Sequence, residues 1–81
     1  MDKLDFNKPI IVELNYILAE SEFDKISEDF MQKYPETEIE SIEEANLKII
    51  KDCSLTAFYE MEKILTDFEE KYPLTKIYQH E

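Results

Sequence analysis

The chain carries 20 Asp and Glu against nine Lys and no Arg in 81 residues, a formal charge of −11, which sets it against the phosphate backbone of nucleic acids. It has no Gly and no Trp, one Cys and one His. Glycine-built phosphate loops, guanidinium clamps, an internal disulfide and a multi-cysteine zinc site are therefore excluded.

The first element is a strand. Ile10, Val12, Leu14 and Tyr16 alternate with Ile11, Glu13 and Asn15, the period of a half-buried strand. Ser21 with Asp24 forms a weak capping box, and Phe23, Ile26, Phe30 and Tyr34 then fall on one helical face. Pro35 removes Tyr34 from the α region and ends that helix. The β-branched residues Thr37, Ile39 and Ile42 mark a short second strand. Leu47 to Cys53 is predicted to be the third strand, reached by a hairpin that turns at Glu44 to Asn46, Asn46 taking the left-handed conformation that Gly would otherwise supply. Ser54 caps a second helix whose stripe of Ala57, Phe58, Met61, Ile64, Leu65, Phe68 and Tyr72 stops at Pro73. Thr75 to Gln79 closes the chain as a fourth strand.

Residues 29–39 and 67–77 share seven of eleven identities at an offset of 38, and the same offset superposes Lys25 and Ile26 on Lys63 and Ile64, and Ile11 on Ile49. Two copies are too few for a solenoid and suit a duplicated strand–helix–strand unit, about 9–43 and 47–81, within a single domain spanning 1–81. The predicted fold is α+β, ferredoxin-like βαββαβ, with a four-stranded antiparallel sheet of order 4-1-3-2 and both helices on one face.

The alternative turns on residues 41–53. Ser41 with Glu44 is also a capping box, and Ile42, Ala45, Ile49 and Cys53 have helical spacing. A helix there gives a smaller sheet with three helices. There is also a conflict of parity. The apolar alternation turns Ile10, Val12 and Leu14 inward on the first strand but Lys48, Ile50 and Asp52 outward on the third. The repeat instead equates Ile11 with Ile49, so a bulge or a shifted loop is needed.

The acylphosphatases resemble this topology but require an Arg near the first strand, and RNA-recognition motifs carry central-strand aromatics and basic charge that are missing here. Heavy-metal-associated domains need a Cys pair, and ACT-type regulatory modules a Gly-bearing loop. Neither is present. Fold alone supplies no function.

Among candidate sites, Cys53 and His80 offer a thiol and a base in principle, but nothing in the sequence brings them together. A buried thiol and a tail histidine are the plainer reading. Glu36, Glu38 and Glu40 share one face of a strand but lack calcium-loop spacing, and they read as charges that protect a sheet edge. No catalytic, cofactor-binding or metal-binding residue is assigned. Glu20, Glu22, Glu43, Glu44, Asp67, Glu69 and Glu70 are expected to gather at one acidic pole, placed by antiparallel helices. The acids at the end of the second helix oppose its dipole. Ile11, Ile17, Ile42, Ile50 and Tyr78 are expected on the open sheet face as a homodimer surface.

The apolar run Pro9 to Ala19, broken by Glu13 and Asn15, is too short to cross a bilayer and lacks the marks of a signal peptide. The lone Cys fits a reducing compartment. The functional expectation is a small acidic, cytoplasmic, non-enzymatic interaction module without cofactors or direct contact with nucleic acid or membrane. It would pair with itself and dock on a basic protein, one form being an inhibitor of a nucleic-acid-binding partner. The alternative is a small-ligand regulatory domain acting as a dimer, with Asn15, Tyr16 and Tyr59 supplying polar groups to a pocket of about 300 Å³ or more.

Overall fold

In the computed structural model, which describes residues 3–80, the elements follow in the order β1 (Ile10–Glu13), α1 (Ile17–Lys33), β2 (Glu38–Ile42), β3 (Leu47–Lys51), α2 (Leu55–Lys71) and β4 (Lys76–Tyr78). The sheet order is β2-β3-β1-β4 with every pairing antiparallel. This is the ferredoxin-like βαββαβ arrangement, and residues 41–53 are not a helix. A single 3-10 turn, Glu43–Ala45, joins β2 to β3 and ends on Asn46 at φ 55 and ψ 38. The Asn46 carbonyl accepts the Leu14 amide at 2.9 Å, which ties the hairpin to the end of β1.

The register decides the parity conflict in favour of the repeat. Ile10 faces Ile50, Ile11 faces Ile49 and Val12 faces Lys48. Because opposed residues project to the same side, Ile10, Val12, Lys48 and Ile50 all point toward the helices. The third strand therefore has the reverse of the expected orientation, and no bulge interrupts its pairing. Ile50 is 1% exposed and belongs to the core. The apparent obstacle was a lysine facing inward. It is met by Asp24 on α1 and Ser41 on β2, whose oxygens accept from Lys48 Nζ at 2.7 and 2.8 Å.

The core lies between sheet and helices. Ile10, Val12 and Ile50 from the sheet meet Ala19, Phe23 and Phe30 of α1, and Phe58, Met61, Leu65 and Phe68 of α2. Phe23 and Phe68 pack edge to face, 5.4 Å between centroids. Each such side chain contributes about 1.5–3 kcal/mol by leaving water.

α1 begins a turn earlier than its capping box suggests, at Ile17, with Tyr16 as the N-cap and no side-chain cap bond. Starting there places Ala19, fully buried, in the core. α2 has the expected cap, Ser54 Oγ accepting from the Ala57 amide at 3.2 Å. The two C-termini are near copies. Tyr34 and Tyr72 leave the helix at φ −126 and −125. Each donates its amide to a Phe carbonyl four residues back at 2.8 Å, and each accepts from the amide of Thr37 or Thr75 at 3.0 Å. The proline after each tyrosine forbids a further helical turn.

Candidate functional site

The helices are antiparallel, and two ion pairs show it. Lys71 Nζ lies 2.6 Å from Glu22 Oε1, and Lys33 Nζ lies 2.8 Å from Glu60 Oε1. Since 33 and 71, like 22 and 60, differ by 38, the second bridge is the first with the two copies exchanged. The start of α1, the end of α2 and the β2–β3 turn consequently share one end of the molecule. The Asn15 side-chain amide donates to the Leu74 carbonyl there, and the Tyr16 and Tyr72 rings meet at 6.2 Å.

The sequence-derived acids distribute over that end in two groups. Glu20 lies in the first turn of α1, Glu43 and Glu44 in the exposed hairpin turn, and Glu69 and Glu70 in the last turn of α2. Glu22 and Asp67 instead line the groove between the helices. Lys71, in direct contact with Glu22, is held above the ordinary lysine range by that carboxylate.

The apolar residues of this end were not foreseen as a patch. Ile17, Leu18 and Leu74 are 86%, 74% and 58% exposed, and Tyr16 stands beside them. Ile17 had been expected on the sheet face. It is the first residue of α1 and projects from the end. The signal in the sequence was Ile17-Leu18 just ahead of the amphipathic stripe and out of phase with it.

The open sheet face carries a different apolar set from the one expected. Ile11, Ile42 and Tyr78 do lie on it, together with Leu47 and Ile49, but Ile50 does not. Ile11 is 6% exposed, enclosed between its register partners Ile49 and Tyr78. Ile42 and Tyr78 remain partly exposed on the two opposite edge strands, separated by the central pair. Glu40 on this face pairs with Lys51 at 3.3 Å. Among the described residues no group of three or more His, Cys, Asp and Glu is placed to hold a metal ion.

Cys53 is half-buried, and burial raises its thiol above the usual range, with the nearby Thr37 hydroxyl opposing. His80 packs on the Tyr78 ring at 5.8 Å. The side chains named for a small-ligand pocket do not converge, since Asn15 and Tyr16 are at one end of the helices and Tyr59 is exposed near the start of α2. A concavity of about 450 Å³ lies between α1 and α2 over Ile26, Phe30, Ile64 and Phe68. At the α2 end of the groove the Glu60 carboxyl is held below its ordinary range, first by Lys33 and then by the Tyr34 hydroxyl, and Tyr34 is raised in return.

No helix among the described residues is long and apolar enough to cross a membrane. Comparison with protein-family models, with curated proteins and with solved structures finds no match to this chain.

Proposed function

We propose that the protein is a non-enzymatic interaction module whose docking surface is the end formed by the start of α1, the β2–β3 turn and the segment after α2. The observation that carries this reading is the exposure of Ile17, Leu18 and Leu74 at an end that also carries Glu20, Glu43, Glu44 and Glu70. An apolar centre with a polar rim is the anatomy of a protein interface, and clustered exposed aliphatics seldom stay wet. The acidic rim supports a partner with a basic surface and an apolar centre, a description that includes proteins whose own ligand is a nucleic acid. With a net charge of −11, the field speeds the approach of such a partner. Pairing of two copies through the sheet face draws on less, because Ile42 and Tyr78 are each only 37% exposed there and Leu47 and Ile49 are partly buried.

The test is capture from a cell extract across a salt series, with the wild-type protein and with an Ile17→Ser, Leu74→Ser double variant. Both positions are exposed, so the variant keeps its fold by circular dichroism. The reading requires a captured protein that the variant loses and that high salt weakens, since charges farther apart than about 8–10 Å are screened at physiological salt. Capture that neither change affects would overturn it.

A further inference from the structure

The groove between α1 and α2 keeps an internal symmetry that elsewhere survives mainly in the segments following the two helices. Between residues 10–42 and 48–80, twelve of 33 aligned positions are identical. The groove is lined by Glu22, Ile26, Asp29, Phe30 and Lys33 of α1 and, on α2, by the residues 38 positions on. All five pairs are identical in type. Beneath it the match is mixed, for Phe23 corresponds to Met61 and Ser27 to Leu65, whereas Ala19 and Ala57 are identical. Packing accounts for the identity of Phe30 and Phe68, which are both 3% exposed and part of the core, but it does not account for the identity of the exposed Asp29 and Asp67.

The geometry gives the groove a direction-neutral chemistry. Each end is closed by one ion pair, Glu22 with Lys71 and Glu60 with Lys33. The floor is apolar. Asp29 and Asp67 stand on its walls, exposed, and among the described residues no cation forms an ion pair with either. From 22 to 33 is eleven residues of helix, about 16 Å at 1.5 Å per residue, or three turns.

We propose that this groove binds an amphipathic, cationic α-helix of a partner, its apolar stripe on Ile26, Phe30, Ile64 and Phe68 and its lysines or arginines at Asp29 and Asp67. A third helix laid along two others is ordinary helix packing, and apolar anchors every three or four residues are how grooves of this kind are filled. A second copy of this chain is a poorer occupant, because facing grooves would bring four aspartates into one apolar contact. Exchanging the two halves leaves the lining unchanged, so the helix is accepted in either direction. This inference shares with the preceding reading only the partner's basic character and concerns a different surface.

The probe is a synthetic amphipathic helix of about 18 residues built from Leu and Lys, enough for the stripe to cover the groove. It is titrated into the isotope-labelled protein while methyl resonances are followed. The Ile26 and Ile64 methyls shift saturably. A spin label on the peptide N-terminus broadens signals at both closed ends of the groove. An Asp29→Asn, Asp67→Asn double variant, which alters only exposed side chains, binds about fivefold more weakly, as expected for two exposed charge contacts. Shifts confined to Ile17, Leu18 and Leu74 would overturn the proposal while leaving the docking end intact. So would broadening at one end only, indifference to the aspartate substitutions, or peptide-free dimerisation that shifts Ile26 and Ile64.

Discussion

Lys48 is the residue whose substitution says most about how this chain folds. It sits on a central strand facing the helices, with its side chain 7% exposed, and its ammonium meets the Asp24 carboxylate, itself 58% exposed, at 2.7 Å. Breaking a fully buried pair by deleting one partner costs about 3–5 kcal/mol. Here water still reaches Asp24, so Asp24→Ala is expected to cost about 1–2 kcal/mol, a loss of roughly 4–16 °C in Tm for a domain of this size. Lys48→Met removes the ammonium and keeps much of the volume, and the outcome lies between no change and a gain of about 1 kcal/mol, as for other buried ions replaced by apolar residues. The assay is urea unfolding followed by circular dichroism, with both single variants and the double variant in one cycle. If Lys48 faced solvent, both changes would stay within about 0.5 kcal/mol. That result, or a Lys48→Met variant less stable than Asp24→Ala, would refute the inward register of β3.

Three further outcomes follow from the structure. Asn46 holds φ 55 without glycine, so Asn46→Ala costs about 1 kcal/mol because alanine keeps the β-carbon but loses the polar side chain that makes the left-handed conformation tolerable, whereas Asn46→Gly changes stability by a few tenths; urea midpoints measure both. Cys53 reacts more slowly with an aromatic disulfide reagent at pH 8 than a free cysteine does, because burial raises its pKa and lowers its thiolate fraction; unfolding in urea abolishes the difference. Lys33, followed by Tyr34, holds the Glu60 carboxyl below 4.5, so its contribution is present above that value and is lost as pH falls through the lowered folded value. The stability gap between wild type and Glu60→Gln accordingly shrinks from pH 6 to below pH 4, and a gap that stays constant would contradict it.

Much of the fold was legible in the sequence because its signals are local and duplicated. Tyr34-Pro35 and Tyr72-Pro73 stop both helices, Asn46 supplies the turn, and the 38-residue offset relates the two halves. What misled was hydrophobicity at Lys48. Reading β3 by its apolar residues turns Leu47 and Ile49 inward, but the repeat requires Ile11 and Ile49 to be equivalent, and they are opposite one another in the register. A lysine can face a core when an acceptor stands within reach, and Asp24 comes from a different element, so no local pattern announces it. Ile17 was misplaced for a related reason. The capping box places the helix start at Ser21, while burial of Ala19 against the sheet extends it back to Ile17. The acidic end could be anticipated from helix direction alone, whereas the groove is created by the way two identical faces meet.

The claim that one end of the molecule is its docking surface is tested most directly by amide hydrogen exchange of the protein alone and in complex with whatever basic partner it captures. The account predicts slowed exchange at residues 16–18, 43–46 and 72–75. Slowing confined to the strand edges at 38–42 and 76–78, with those three segments unchanged, would contradict it.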